Sequence, residues 1–273
     1  METLSPDIEY ADRGRGPALL FVPGSFGTGA GWRAVIDHLG DGYRIVTTSL
    51  LGYGATTERR PPHNRTMAQQ VEVLDALLDR IDAPAHVVGH SYGGLAVVAH
   101  AILGRRKPAS LVLVEANPLD ILRAAGDQAH YDMFGEMTKV YFAEFEAGKP
   151  DAARHVIDFY AGGGTFDALP QKARDYIVAT TASNILDWSS GTAFRPALAD
   201  YSAIAVPTLV IRGGDGHPAM LRIAELLAAR IPRATLTTIE GGRHFLPATH
   251  AAALAHLIAT HVASVGAPAR SCS

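Results

Sequence analysis

Residues 89–93 read Gly-His-Ser-Tyr-Gly, a G-x-S-x-G pentapeptide centred on Ser91. An apolar run that includes Val87 and Val88 precedes it, and the small residues of the stretch 93–99 follow it. A strand, a tight turn and a helix are the context in which this motif presents a nucleophilic serine at the edge of a sheet. Glycines on both sides let the strand and the helix approach without Cβ clashes. The segment therefore predicts a strained turn with Ser91 at its tip.

Short apolar runs alternate with helical patterns along most of the chain. The predicted strands are 17–22, 44–48, 85–90, 110–115, 207–212 and 234–239. The predicted helices are 32–39, one capped by Thr66, one opening after Ser91, 219–229 and 248–262. Because the strands are continuous apolar runs, we expect a parallel sheet buried on both faces by helices. The predicted fold class is α/β, with a doubly wound, mostly parallel sheet.

The stretch from 117 to 200 departs from this alternation. It is rich in aromatic residues and has helical spacing without a strong strand. We interpret it as a helical lid inserted after the strand that follows the nucleophile helix; the alternative is a set of helices packed on the outside. The predicted domains are a core formed by 1–116 and 201–265, the lid 117–200, and a disordered tail 266–273.

Charge and cysteine content limit the partners. The net charge is −3, and no basic stripe indicates nucleic acid or a membrane surface. Neither a signal peptide nor an apolar run long enough to span a membrane is recognised. A single cysteine, Cys272, cannot form an internal disulfide, so we expect a cytoplasmic protein. The expected partner is a small-molecule substrate, and a homodimer stays open.

The sequence predicts neither a cofactor nor a metal. The glycine-rich loop 24–31 lacks the Gly-Lys-Ser/Thr ending of a phosphate-binding loop, and its glycines miss the G-x-G-x-x-G register. The chain has no H-E-x-x-H motif and no cysteine pair for zinc.

A serine nucleophile needs a base within hydrogen-bond reach. The chain has twelve histidines, so position must choose among them. His244 follows the last predicted strand directly, and in a doubly wound sheet that loop opens at the same edge as the Ser91 turn. We expect His244 to be the base. His90 is too close in sequence to turn back onto Ser91 and is expected to pack or hydrogen-bond locally.

Four segments together resemble the α/β-hydrolase superfamily. They are residues 89–94, the strand and Pro-Gly loop that lead to Trp32, the Leu-Gly-Tyr-Gly turn at 51–54, and Gly-Arg-His-Phe at 242–245. The resemblance covers nearly the whole chain and implies the α/β-hydrolase fold. It does not identify the substrate, because that superfamily hosts many chemistries.

The resemblance also implies an oxyanion hole. One donor would be the backbone N–H of Tyr92, and the other that of Ser25, with Phe26 close by. Relatives usually have His-Gly where this chain has Pro23 and Gly24, so any hydrogen bonds of that histidine are replaced or absent here.

The third member of the catalytic set stays open between two residues. Relatives commonly place the acid after the penultimate strand, where Asp215 lies one residue early. Other relatives place it at the end of the strand after the nucleophile helix, which is the position of Glu115. A glutamate that ends an apolar strand is costly to bury without a partner, and a catalytic imidazole would be one.

The expected function is that of a cofactor-independent serine hydrolase. It would cleave a small to medium, largely apolar ester or lactone through an acyl-enzyme. Hydrolysis of carbon–carbon bonds or amides by the same residues remains an alternative, as does a non-catalytic protein of this fold that binds a small ligand.

Overall fold

The computed structural model describes residues 2–4 and 8–266, and within them the strands form one sheet of eight. Its strands are β1 Glu2–Leu4, β2 Ile8–Gly14, β3 Ala18–Val22, β4 Arg44–Thr48, β5 Ala85–His90, β6 Ser110–Val114, β7 Thr208–Gly213 and β8 Ala234–Ile239. The spatial order is β1-β2-β4-β3-β5-β6-β7-β8. Only the pairs β1–β2 and β2–β4 are antiparallel in this sheet. The predicted α/β class and mostly parallel sheet are confirmed.

Helices cover both faces of the sheet. They are α1 Arg33–Leu39, α2 Ala68–Ile81, α3 Tyr92–Leu103, α4 Asp120–Ala124, α5 Gln128–Glu146, α6 Arg154–Ala161, α7 Thr165–Ala168, α8 Gln171–Ala179, α9 Thr181–Ala193, α10 Leu198–Ser202, α11 Pro218–Arg230, α12 Leu246–Thr249 and α13 Ala251–Gly266, with a short 3-10 helix at Gly29–Trp32. None of these helices is both long and apolar enough to cross a membrane.

Strand β3 shows why the strands read as continuous apolar runs. Leu19 and Phe21 point to the cluster formed with α1 and α13, whereas Leu20 and Val22 point to the cluster formed with α2 and α3. Successive side chains point to opposite faces of a strand. Every position of β3 is therefore buried, and the alternation typical of a half-exposed strand is absent.

The edge strands β1 and β2 were not predicted. In β2 only the first three residues are buried, and residues 11–14 are exposed, so the apolar run is too short to indicate a strand. The predicted helix 248–262 is in fact two helices, α12 and α13, that meet at His250. Helix α2 begins at Ala68, whose N–H donates to the hydroxyl of Thr66 at 3.1 Å.

The chain between β6 and β7 is helical, from α4 to α10. Its aromatic rings pack on one another, with Phe134 5.2 Å from Phe159 and 6.2 Å from Trp188 between ring centroids. That this segment acts as a lid, and the domain division that follows from it, stay predictions. Of the predicted tail, Gly266 ends α13, and the remainder with Cys272 lies outside the described residues.

Candidate active site

Ser91 lies in the turn between β5 and α3. Its backbone has φ 54° and ψ −123°, a conformation that L-residues rarely adopt. The start of α3 packs closely on the loop after β3: a Cβ on Gly93 would lie 2.2 Å from the carbonyl oxygen of Pro23. Only glycine fits there, so the nucleophile helix can approach the loop after β3.

His244 lies in the loop after β8 and reaches Ser91. Its Nε2 is 2.8 Å from the Ser91 Oγ, and its residue is only 2% exposed. The ring of Tyr160 from α6 stacks on the imidazole, with centroids 4.0 Å apart and planes 13° apart. Asn117 Nδ2 donates to the Tyr160 hydroxyl at 2.9 Å. The stacked ring of Tyr160, held by this hydrogen bond, limits the orientation of the imidazole ring of His244.

Glu115 follows the last residue of β6 with a left-handed backbone, φ 45°. Its Oε2 is 3.2 Å from His244 Nδ1, and its Oε1 accepts a hydrogen bond from the Gly213 N–H at 2.7 Å. The residue is 3% exposed. Both carboxylate oxygens therefore have a partner, as a buried charge requires.

Asp215 has a different environment. The residue is exposed, and its backbone N–H donates to the Gly242 carbonyl at 2.9 Å. Within residues 2–4 and 8–266, its carboxylate has no hydrogen bond or ion pair with His244. The structure thus brings Ser91, His244 and Glu115 together and leaves Asp215 outside this chain of contacts.

The loop after β3 lies against Ser91. A Cβ on Gly24 would be 2.8 Å from the Ser91 Cβ, and Phe26 has a left-handed φ of 60°. Throughout the described residues, no protein acceptor takes a hydrogen bond from the backbone N–H of Ser25, Phe26 or Tyr92. These three amides are the expected oxyanion-hole donors, and none of them is committed to another protein group.

His90 lies beneath this site. Its Nε2 donates to the backbone carbonyl of His244 at 2.8 Å, so it fixes the loop that carries the imidazole. Burial, together with the nearby His244, lowers the pKa of His90 to about 3. His90 is therefore neutral at physiological pH and acts through a hydrogen bond to the backbone.

A buried carboxylate that the sequence did not indicate lies beside the loop after β3, which carries Ser25 and Phe26. Asp187 of α9 is 1% exposed. Its Oδ2 accepts from the Ser25 hydroxyl at 2.5 Å and from the Tyr53 hydroxyl at 2.6 Å. Its Oδ1 is 2.7 Å from Arg60 Nη1. The stretch 117–200 contains several aspartates, and no sequence pattern distinguishes Asp187 from the others as a partner of the loop after β3.

The Asp187–Arg60 pair is electrostatically demanding. Burial raises the pKa of Asp187 above its usual range, against the opposing effect of Arg60. Burial alone would lower the pKa of Arg60, but Asp187 and Glu58 hold it above its usual range. Removing one partner of a buried ion pair leaves an uncompensated charge and is strongly destabilising. We conclude that the contacts of Asp187 with Ser25, Tyr53 and Arg60 help to hold this part of the site in place.

Ser91 and His244 open into a small cavity, which we call the inner chamber. It has a volume of about 40 Å³. Its walls include Leu95, Leu119, Val156, Tyr160, Trp188 and Phe245. The walls are mainly apolar.

The polar groups of the site suit covalent catalysis. Among the described residues there is no group of three or more His, Cys, Asp or Glu side chains that could hold a metal ion. The Ser91 hydroxyl has a base at hydrogen-bond distance, and that base has an orienting carboxylate. This is the arrangement that activates a serine hydroxyl as a nucleophile.

Known proteins provide an independent comparison. The sequence profile of the Alpha/beta hydrolase family matches residues 19–257. A pimeloyl-(acyl-carrier protein) methyl ester esterase of Aromatoleum aromaticum is 27% identical over 225 residues, which cover 78% of this chain and 85% of that protein.

Solved structures agree on the fold. A thermophilic esterase of Thermogutta terrifontis has a TM-score of 0.75 at 21% identity and covers 97% of both chains. A bromoperoxidase of Bacillus anthracis has a TM-score of 0.71 at 20% identity and covers 94% of this chain and 95% of its own. With the family profile spanning most of the sequence, the chain belongs to the alpha/beta hydrolase family.

Proposed function

We propose that this protein is a serine hydrolase that cleaves small to medium, largely apolar esters or lactones through an acyl-enzyme. The observation that carries the proposal is the continuous contact from Ser91 Oγ to His244 Nε2 at 2.8 Å and from His244 Nδ1 to Glu115 at 3.2 Å. A hydroxyl, an imidazole and a carboxylate in this order recur in unrelated acyl-transfer enzymes.

In the first half of the proposed reaction, Ser91 Oγ attacks the ester carbonyl while His244 Nε2 accepts its proton. Glu115 keeps the imidazole oriented and stabilises its positive charge. The negative oxygen of the tetrahedral intermediate accepts hydrogen bonds from the backbone N–H groups of Tyr92 and of Ser25 or Phe26. The intermediate collapses, His244 returns the proton to the leaving alcohol, and Ser91 retains the acyl group.

In the second half, water attacks the acyl-enzyme. His244 accepts a proton from the water while the water oxygen bonds to the acyl carbon. His244 then gives that proton to Ser91 Oγ as the bond between Oγ and the acyl carbon breaks. The products are a carboxylic acid and the free serine, so no external oxidant or cofactor is required.

Two further observations support an ester substrate. The walls of the inner chamber are mainly apolar, which favours a neutral acyl group over an ionised one. The relatives described above include proteins named as esterases. For a lactone, the same steps apply and the leaving alcohol stays attached to the acyl group.

The test is hydrolysis of p-nitrophenyl esters from acetate to laurate by the wild type and by Ser91→Ala. We expect turnover by the wild type and a loss of roughly a thousandfold or more in the variant, because a single triad member carries most of the catalysis. Equal turnover by both proteins would contradict the serine mechanism.

Two other outcomes would change the proposal. Labelling by a fluorophosphonate probe without ester turnover would favour cleavage of an amide or carbon–carbon bond by the same residues. The absence of both labelling and turnover would favour a binding protein of this fold.

A further inference from the structure

A second cavity adjoins the inner chamber; we call it the outer chamber. Its volume is about 460 Å³. One wall is the oxyanion loop from Pro23 to Thr28, and a second is the segment after His244, from Phe245 to Thr249. The third wall consists of Ile157 of α6, Leu169 between α7 and α8, and residues of α8 that include Ala173. The lining is largely apolar, so the chamber suits a hydrocarbon rather than a charged ligand.

The two chambers share walls. Ser25, Phe26, His90, Ile157 and Phe245 line both of them. Two cavities that share five wall residues are neighbours, and the shared residues lie next to the reacting atoms of Ser91 and His244. A single substrate can therefore place its carbonyl at Ser91 and extend into the outer chamber.

The chambers differ in size by a large factor. The inner chamber, at about 40 Å³, has room for about three water-sized spheres. An acyl group of about two to four carbons fills such a space. The outer chamber, at about 460 Å³, has room for a chain of six or more carbons or for an aromatic ring. The scissile group thus separates a small part of the substrate from a large one.

Reaction geometry assigns the two parts. The leaving oxygen must receive its proton from His244, so the leaving group lies on the histidine side of the carbonyl. His244 itself lines the inner chamber, and Phe245 lines both chambers. Pro247 and Ala248, from the segment that leads away from His244, line the outer chamber alone. Leu95 of the nucleophile helix and Leu119 line the inner chamber alone. This placement of the segment after His244 favours the outer chamber for the alcohol and the inner chamber for the acyl group.

We propose that the outer chamber binds the apolar alcohol portion of the substrate, while the inner chamber admits only a short acyl group. This inference rests on the proposed function, because it assigns the two halves of the ester that Ser91 would cleave. The natural substrate class is then a short-chain acyl ester of a long-chain or aromatic alcohol.

Two homologous ester series test the assignment in the wild type. The first holds the acyl group as acetate and lengthens the alcohol from ethyl to hexyl; the second holds the alcohol as ethyl and lengthens the acyl group from acetyl to hexanoyl. Proton release reports kcat/KM for both. We expect kcat/KM to rise about fourfold per methylene in the first series, which is the gain from burying each methylene. In the second series it falls beyond butanoate. The reverse ranking would overturn the proposal.

Substitutions then localise the effect. Ala173→Trp fills the outer chamber from α8 and is expected to lower kcat/KM for hexyl acetate at least about tenfold more than kcat/KM for ethyl acetate. Ala179→Trp makes the same substitution at an exposed position of the same helix and should leave both values unchanged. Equal losses on both esters with Ala173→Trp, or no loss on either, would contradict the outer chamber as the alcohol site.

A third variant enlarges the inner chamber. Val156 lines that chamber and not the outer one, so Val156→Ala should raise the ratio of kcat/KM for ethyl hexanoate to kcat/KM for ethyl acetate. An unchanged acyl preference would contradict the inner chamber as the acyl site.

Failure of this inference is distinguishable from failure of the proposed function. If the wild type neither hydrolyses p-nitrophenyl acetate nor reacts with a fluorophosphonate probe, the serine mechanism itself is wrong. If it does both and prefers long acyl groups on short alcohols, only the assignment of the two chambers is wrong.

Discussion

Three residues with left-handed backbone meet at the site, namely Phe26, Ser91 and Glu115, each with φ between 45° and 60°. Such a conformation costs about 1–3 kcal/mol at a residue that is not glycine. Asp82, the other such residue among those described, ends helix α2 instead. Strain that persists at three positions of one site requires support from the surrounding packing.

The carboxylate is the residue that the sequence left open. We predict that Glu115→Gln lowers kcat roughly a thousandfold or more, because the amide cannot stabilise the imidazolium that forms during the reaction. Asp215→Asn should change kcat by no more than about twofold, since that side chain is exposed. Steady-state hydrolysis of p-nitrophenyl acetate compares the two. A large loss in Asp215→Asn with a small loss in Glu115→Gln would contradict the assignment.

Asp187 offers a second prediction at this scale. Its carboxylate holds the Ser25 hydroxyl at 2.5 Å, and Ser25 carries a proposed oxyanion donor on its backbone. Ser25→Ala removes that tether and keeps the backbone N–H and the Asp187–Arg60 pair. We expect kcat to fall about tenfold, less than the loss of an oxyanion donor itself, with KM and thermal stability little changed. Wild-type kcat in this variant would show that the tether does not position the loop.

Helices α6 and α9 both contact the proposed site residues. Helix α6 places Tyr160 on the imidazole of His244, and α9 places Asp187 on the oxyanion loop. The segment between β6 and β7 therefore contacts both His244 and the loop that carries the proposed oxyanion donors.

Tyr160 provides the test of that statement. Tyr160→Phe retains the ring that stacks on His244 and removes only the hydrogen bond with Asn117, so we expect kcat within about threefold of wild type. Tyr160→Ala removes the ring and frees the imidazole to rotate. It should lower kcat for p-nitrophenyl acetate about tenfold or more. Tryptophan fluorescence checks that the variant stays folded. Equal activity of the two variants would contradict a positioning role for the ring.

The sequence predicted elements best where local pattern and tertiary environment agree. The runs at 44–48 and 234–239 are observed as β4 and β8 with the predicted bounds. Strand β2 was missed because only its first three residues are buried, which leaves too short an apolar run to indicate a strand. Glu115 could not be distinguished from Asp215, since neither residue's motif reveals the left-handed turn after β6 that aims the glutamate at His244.

The contacts of Asp187 lie beyond sequence reasoning for a related reason. Its partners Ser25, Tyr53 and Arg60 are separated from it by 127 to 162 positions. No local spacing links an aspartate in α9 to a loop after β3. Only the packing of α9 over the carboxyl edge of the sheet brings these side chains together.

At the scale of the whole molecule, the parallel strands β5, β6, β7 and β8 lie side by side. Their carboxyl ends therefore meet at one edge, where the Ser91 turn, Glu115 and the His244 loop emerge. The same compact core buries several neutral histidines, and burial lowers the pKa values of His86, His90 and His100.

Neutral burial predicts a pH dependence of stability. The pKa of His90 falls from 6.5 to about 3 on folding. Below its ordinary pKa, the unfolded chain takes up a proton that the folded chain does not, so acid favours unfolding. This loss begins near pH 6.5 and grows until the pH reaches the folded value. Stability is thus fully present above that window.

His90→Gln isolates the effect, because its amide retains an N–H donor for the His244 carbonyl and does not titrate. Between about pH 7 and roughly pH 4.5, the wild type should lose about 2.5 kcal/mol more unfolding free energy than the variant. Urea unfolding at both pH values measures the difference. Equal losses would contradict the neutral burial of His90.

The central claim is that Ser91 is a nucleophile activated by His244, and covalent labelling measures this most directly. A fluorophosphonate probe is incubated with the wild type, Ser91→Ala and His244→Ala, and intact-mass and peptide-mass spectrometry follow. The account predicts one adduct per wild-type chain, located on Ser91, no adduct in Ser91→Ala, and a rate lowered about a thousandfold in His244→Ala. An unlabelled wild-type chain, or an adduct on another residue, would contradict the account.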